Sequence, residues 1–413
     1  MPAIDTIASL TAFEGRGPGS DAERRAALWL RDELGFAGRS ARLEPFWCRP
    51  NWALAHAWHA LLGLVGGLLC VSHPTVGAAL VLAALVCVLA DEATGLSPGR
   101  RLTRQHASQN VISRREEPGS PHDERVRLIV TADYDAGRMG LVYRDGPRRV
   151  AARLRRVTRD RAPGWLAWLT FSLWWLLVVA VARMHGVHGT AISLLQLPPT
   201  VGLVLAVALL LELAGSPIGP AASDNASGVA VALALARALD VAAPRALRVE
   251  VVLAGAGEGG GIGLRRFRRA RRRELTSRNA IVLGIAACGA GSPRWWQSDG
   301  PLIPLAYHHR LRELCAGIAG AEPQLGAVSH RGRGATPALP ARIAGLPAIA
   351  IGCLDERGLA PRSHQPADTT AAIDRAAVDA TLELALMLVD AIDAELVGMR
   401  GLSWGAATSL TPA

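Results

Sequence analysis

Four short stretches of the chain carry residue types suited to metal chemistry. Ala132-Asp133-Tyr134-Asp135 closes the β-branched run Val126–Thr131, which reads as a buried strand. Ser223-Asp224-Asn225 leads into an apolar helical run, Val229–Leu239. Gly257-Glu258 follows a strand-like run, Leu247–Leu253, and Ser363-His364 follows another, Pro347–Gly352. Carboxylate and imidazole groups are zinc ligands, and a catalytic zinc site uses three of them while keeping a fourth position open. The C-terminal edge of a parallel sheet is where open α/β folds place their ligands. Strand ends so far apart in sequence point to this chemistry only if the fold brings them together.

Composition removes several alternatives. All 45 basic residues are arginine, so chemistry that needs a Schiff-base lysine or a phosphate-loop lysine is excluded. Cys48, Cys70, Cys87, Cys288, Cys315 and Cys353 form no CxxC pair and read as small core residues in a reducing compartment. The N-terminus carries an Asp and no basic region, unlike a signal peptide.

The elements that must position these groups alternate as strands and helices, among them a helix at Ser20–Leu34, capped by Ser20 or Asp21, and a strand at Ala280–Ala286. That order predicts an α/β fold, a three-layer sandwich with a mixed, largely parallel sheet. Four apolar runs interrupt it in two hairpins: Ala53–Val71 with Thr75–Ala90, and Gly164–Ala182 with Ala191–Ala214. Crossing the hydrocarbon takes about 20 residues, and half of the chain is hydrophobic, with a positive mean hydropathy of +0.23. The runs read as four transmembrane helices with Trp52, Trp58, Trp165 and Trp168 at one edge. Pro198-Pro199 predicts that the fourth is kinked or starts late. The chain thus divides into a soluble domain in three parts, 1–50, 91–163 and 215–413, and hairpins at 51–90 and 164–214.

The formal charge is +10. Arginines crowd the stretch between the hairpins, whereas the short turns within them hold only Arg183, so the positive-inside rule places both termini and the soluble domain in the cytoplasm of a multi-pass cell-membrane protein. The basic runs Arg265–Arg273 and Pro147–Arg161 are then expected to meet anionic lipid headgroups rather than nucleic acid. His56 and His59 share a helix face near the first membrane entry, where interfacial histidines are the expectation over a metal pair. His308-His309 match no ligand position. A transporter role is disfavoured because the apolar runs hold almost no ionisable residue.

The ordered stretches TADYDA, SDNASGVA, GAGEGG, VLGIA and SHQPADT together resemble the di-zinc aminopeptidase and glutamate carboxypeptidase family of metallopeptidases. So do the opening GRGPGSDAERRAALWLRDEL and QNVIS at Gln109–Ser113. The resemblance covers nearly all of the soluble chain. It implies a zinc-exopeptidase fold, with Asp224 as the carboxylate that bridges two metals, Glu258 and His364 as the other ligands of one metal, and Asp135 as the carboxylate that orients the first histidine. Three positions depart from the family. Asp133 stands in place of the first metal-binding histidine, Gly284 in place of the other metal's carboxylate, and Gly257 in place of the general-base glutamate. The implied cofactor is one zinc ion on Asp224, Glu258 and His364. No general base remains, and Asp133 is the available substitute.

The leading expectation is a degenerate, membrane-embedded member of that family, non-catalytic or weakly active, that binds a peptide or protein ligand. The alternative is an active one-zinc hydrolase of peptides or other amides. A second alternative comes from Gly255–Gly260, which has the GxGxxG form of a dinucleotide-binding turn. The acid that should hold the ribose is missing at the end of the next strand, AIVLGIA, which argues against it.

Overall fold

The structure is a computed structural model that describes residues 2–115, 125–159 and 161–398. Helices α1 (Ala3–Thr11) and α2 (Asp21–Phe36) open the chain. Ser20 Oγ accepts from the Glu23 amide at 3.0 Å, and the Glu23 carboxylate accepts from the Gly19 amide at 2.7 Å. This reciprocal pair satisfies donors that the start of α2 would otherwise leave open.

Among the described residues, nine strands form one sheet: β1 (Ser40–Cys48), β2 (His106–Arg114), β3 (Val126–Asp133), β4 (Leu247–Ala254), β5 (Ala280–Ile285), β6 (Ser292–Asp299), β7 (Leu305–Ala306), β8 (Val328–Arg331) and β9 (Ala348–Leu354). Their spatial order is β1-β2-β4-β3-β5-β9-β6-β7, with β8 beside β6. The middle four, β4, β3, β5 and β9, are parallel; β1, β2, β6 and β7 join antiparallel. The sheet is therefore mixed and largely parallel at its centre, as the alternating pattern implied.

Helix α9 (Gly228–Val241) connects β3 to β4, and α10 (Ile262–Ala270) connects β4 back across β3 to β5. The two crossovers run in opposite directions, so right-handed connection puts α9 and α10 on opposite faces. Helix α9 packs with α1 and with α13 (Arg375–Gly398), which also contacts α11 (His309–Ala321); α10 packs with α12 (Leu339–Ile343). The central parallel strands β5 and β9 are buried along their whole length, which explains their unbroken apolar runs.

Among the described residues, four helices are long and apolar enough to cross a membrane: α3 (Trp52–Leu69), α4 (Pro74–Thr94), α7 (Trp165–Met184) and α8 (Thr190–Gly215). They pack as one bundle around Val81, Leu166, Leu173, Leu176 and Leu203. Glycines on α3 allow that approach: a Cβ on Gly66 would lie 2.9 Å from the Gly77 carbonyl of α4, and one on Gly63 would lie 2.2 Å from Leu173 of α7. The short helices α5 (Pro98–Arg101) and α6 (Asp145–Val157) lie between hairpin and sheet elements in the chain.

Two expectations about the bundle need correction. Helix α8 does not start late, because it runs from Thr190 with Pro198 and Pro199 inside it. Prolines are tolerated within such helices, where they leave the carbonyls four residues earlier, here Leu194 and Leu195, without their helical donors. Arg183 lies within α7 rather than in a turn. Its guanidinium is buried and donates to the Gln196 and Ser193 side chains of α8, while Gln196 bonds the Gly67 carbonyl of α3 at 2.6 Å.

Candidate metal centre

Asp133 ends β3, Gly257 and Glu258 follow β4, and His364 lies in the connection after β9. Asp224 lies in the turn between α8 and α9. All reach the C-terminal edge of the parallel strands. Asp224, Glu258 and His364 converge there, with their ligand atoms within 4.8 Å of one another. His364 Nε2 is 3.6 Å from Asp224 Oδ2 and 3.7 Å from Glu258 Oε2.

Backbone groups fix this arrangement. His364 Nδ1 lies 3.0 Å from the Arg138 carbonyl, so the proton belongs on Nδ1 and Nε2 offers its lone pair to the cluster. His364 holds a left-handed backbone with φ of 58°, a conformation that costs a side-chain-bearing residue about 1–3 kcal/mol. Tyr143 stacks on the imidazole at 4.2 Å. Asp368 accepts from the Ser223 amide at 2.7 Å and the Asp224 amide at 3.1 Å, and Ser363 donates to the Asp224 carboxylate.

Asp135 does something other than what the resemblance implied. With no histidine at position 133 to orient, its carboxylate accepts from the Gly257 amide at 2.8 Å and the Glu258 amide at 3.0 Å. It therefore holds the turn that carries Glu258. Burial raises its pKa to about 6, against the lowering effect of those amides.

Gly257 and Asp133 form a complementary pair. A Cβ on Gly257 would sit 2.1 Å from Asp133 Cγ, so the aspartate occupies space next to the missing side chain. Gly284 is closed off in the same way: a Cβ there would lie 2.6 Å from the Ala338 amide nitrogen. No third ligand group for a second metal is assembled among the described residues.

The electrostatics favour a cation. Burial raises the Glu258 carboxyl well above its usual range, and the nearby charges of Asp224, Asp135 and Asp133 add to this. Asp133 is raised well above its usual range by burial, then by Asp135 and Asp224. Two carboxylates and an imidazole with its Nδ1 already engaged are a donor set that fits zinc.

Several supporting residues carried no clear signal in the sequence. Arg16 is buried and donates to the carbonyls of Tyr134, Leu10 and Ala221, tying α1 to both aspartate-bearing turns. Burial lowers its pKa to about 10. Glu23 accepts from the Ala256 amide at 2.8 Å; the Ser-x-x-Glu spacing at Ser20 was the available sign of its capping role, though not of this second contact. Tyr143 had no sign at all.

The glycine turn of the GxGxxG stretch is not free to cradle phosphate. The amides of Ala256, Gly257 and Glu258 already donate to the carboxylates of Glu23 and Asp135, and the Gly255 amide to the Asn110 side chain. Carboxyl groups of the protein occupy the donors that a phosphate would need, which opposes the nucleotide alternative. His56 and His59 are buried against α4 and α5, not at an open interface; His56 Nε2 lies 3.4 Å from Asp91 Oδ2.

The site and sheet define a zinc-exopeptidase-like α/β domain. Over residues 209–389 the chain matches the model of Peptidase family M28. Its fold is similar to that of BSAP, a zinc aminopeptidase from Bacillus subtilis, with a TM-score of 0.54 at 13% identity, covering 94% of each chain. Porphyromonas gingivalis glutaminyl cyclase gives a TM-score of 0.51 at 14% identity over 94% of this chain and 97% of that one. Legionella pneumophila LapA aminopeptidase gives 0.51 at 10% identity over 95% and 70%. At these identities the likeness concerns the fold. No curated protein sequence matches the chain.

Proposed function

We propose that this protein is a membrane-embedded M28 homologue that holds one zinc ion on Asp224, Glu258 and His364 and has lost efficient peptidase activity. The residual chemistry is slow hydrolysis of an amide, with Asp133 as the proton-handling group. The observation that carries this reading is the Gly257–Asp133 pair, in which a carboxylate lies against the glycine that replaces the base. Zinc bound there supplies Lewis acidity and makes water a better nucleophile at neutral pH. Asp133 lines the same cavity as Asp224 and Glu258, and its raised proton affinity suits it to take up and return a proton. A well-placed base is worth roughly 10²–10⁴-fold in rate, so an aspartate out of the family's position gives slow turnover.

The four long helices are proposed to cross the bilayer, with the domain and both termini on the cytoplasmic side. In support, large apolar side chains such as Leu68, Val86, Trp174, Leu194 and Leu205 face outward from the bundle. No more than half of each apolar window is buried within the protein.

Metal analysis and peptide turnover of the purified chain, of Glu258→Ala and of Asp133→Asn test the site. The expected result is one zinc per chain, lost in Glu258→Ala, and slow turnover lost in both variants. A chain without zinc overturns the reading, and so does fast turnover that Asp133→Asn leaves intact. For topology, Ser72→Cys in the α3–α4 turn should react with an impermeant maleimide added outside cells, and Val241→Cys should not. The reverse pattern would invert the orientation.

A further inference from the structure

A cavity of about 560 Å³ runs from Asp133, Asp224 and Glu258 to the first turn of α7, where Trp165 and Trp168 form part of its wall. Between site and membrane helix it is bounded by α6, which contributes Arg148 and Leu154. No residue of α6 is buried. Its Val150, Leu154 and Val157 recur at helical spacing and are 66%, 42% and 81% exposed, opposite a dense set of arginines. A basic helix with an uncovered apolar stripe, placed just before a membrane helix, has the character of a helix lying in the bilayer surface. The chain continues from α6 to α7 within eight residues, Val157 to Trp165. One wall of the cavity is thus membrane-surface helix and another is the mouth of a membrane helix.

The charge of the cavity changes along its length. At one end stand three carboxylates and the zinc donor set. Arg148, on the α6 wall, donates to the Ala360 carbonyl and feels the charges of Asp355, Asp145, Asp224 and Asp368. Its pKa is lowered by burial, so its charge is held in a partly dehydrated place where an anionic group of a ligand gains most. Trp165 and Trp168 offer apolar ring surface in the same cavity, and Trp165 also meets Trp52 of α3 in a tilted contact, ring centroids 5.1 Å apart.

We infer that the ligand of this site is a bilayer-resident anionic amphiphile, an N-acylated amino acid or short acylated peptide. Its amide lies at Asp224, Glu258 and Asp133, its carboxylate faces Arg148, and its acyl chain follows Trp165 and Trp168 towards the lipid. This rests on the reading of α7 as a membrane helix and of the site as an amide-hydrolysing centre. Hydrolysis adds the oxygen of water to the acyl carbon and breaks the C–N bond. The proton that water loses passes by way of Asp133 to the departing nitrogen, giving a fatty acid and an amine, which ionise to carboxylate and ammonium. The amphiphile reaches the site along α6 without crossing bulk water.

The test is saturable binding to the full chain in phosphatidylcholine nanodiscs, with binding to empty discs subtracted. The probes are N-dodecanoyl-alanine, its methyl ester and N-acetyl-alanine. N-dodecanoyl-alanine should bind on the order of tenfold or more tightly than N-acetyl-alanine, because the acyl chain leaves water. Arg148→Gln should weaken N-dodecanoyl-alanine about tenfold and leave the neutral ester unchanged. Trp168→Ala and Leu154→Gln, at half-exposed positions, should narrow the gap between long and short chains. Equal affinity for the dodecanoyl and acetyl compounds, or tighter binding of a soluble tripeptide, overturns the inference. Each assay is run with zinc-loaded and metal-stripped protein. Amphiphile binding by a chain that takes up no zinc would sink the one-zinc reading alone, and a zinc-loaded chain indifferent to acyl length would sink this inference alone.

Discussion

Around Asp224, Glu258 and His364 the supporting contacts are in place, whereas around Asp133, Gly257 and Gly284 the space for side chains has been closed. The first group keeps an imidazole engaged at Nδ1 by the Arg138 carbonyl and a turn pinned by Asp368. In the second group Asp133 lies against the Gly257 Cα, and the Ala338 backbone lies against Gly284. The difference shows that the departures are not simple deletions that leave holes. The second half has been repacked around smaller residues, and interiors are dense enough that such repacking resists reversal. The packing of this chain is thus consistent with the one-metal centre proposed above.

The largest expected effect falls on the intact half. His364→Ala and Glu258→Ala should each weaken zinc binding by more than the roughly 10–100-fold typical of losing an outer partner, whereas Asp133→Ala should leave the zinc content near one. Elemental analysis after dialysis against a weak chelator reads this directly. Retention of zinc in His364→Ala, or its loss in Asp133→Ala, would erase the proposed division between the halves.

The intact half is also tied to the bundle, and that tie gives the next effect. Arg100 donates to Asp91 of α4 at 2.9 Å, to the Arg49 carbonyl at 2.9 Å and to the Gly259 carbonyl of the Glu258 turn at 2.9 Å. Asp91 also accepts from Ser97 at 2.8 Å. Removing one partner of a buried ion pair typically costs about 3–5 kcal/mol, because the other charge is left buried. Arg100→Ala should lower the melting temperature more than any other exchange proposed below. It should also weaken zinc binding, since the Gly259 carbonyl loses its donor. A loss of stability with unchanged zinc affinity would separate the bundle from the site.

Much of this site was legible in the sequence, and the reason is local. Asp224 precedes an apolar helix, and Glu258 and His364 follow apolar strands, so chain order and periodicity put them at element ends, and the family resemblance joined them as one ligand set. The four long apolar helices were legible for the same reason, to within a few residues at each end. What stayed hidden depends on contacts between distant parts of the chain. Arg16 meets Ala221 more than two hundred positions away, and Ala338 closes the space beside Gly284 from another connection. No spacing rule encodes either contact. The new partner of Asp135 was hidden because a carboxylate that loses one acceptor role takes up whichever donors the turn presents. Helix α8 passes through Pro198-Pro199 because its surroundings, not its own propensity, decide the outcome.

Smaller effects test the repacked half. Gly257→Ala adds a Cβ 2.1 Å from Asp133 Cγ and should destabilise by about 1–3 kcal/mol, as overpacking does. Pairing it with Asp133→Gly should recover most of that loss, a non-additivity expected only of residues in contact. Additive effects in that cycle would mean that the two departures are independent. Gly284→Asp meets the Ala338 backbone, which cannot swing away as a side chain can. It should destabilise by a similar amount and leave zinc content at one per chain, because the space for a second ion stays closed.

The smallest effect should come from Tyr143, whose ring stacks on His364 at 4.2 Å with an interplanar angle of 15°. Aromatic pairs contribute about 0.5–1.5 kcal/mol beyond the area they bury, so Tyr143→Leu should weaken zinc binding by roughly tenfold at most. The Arg138 carbonyl still holds Nδ1 in that variant, so the imidazole keeps its tautomer and loses only its lateral support. Competition titration with a zinc-sensitive dye would resolve this against the wild-type affinity. A loss as large as that of His364→Ala would show that the stack, rather than the carbonyl, fixes the ring. The boundary between the intact and the repacked half would then have to include the loop that carries Tyr143.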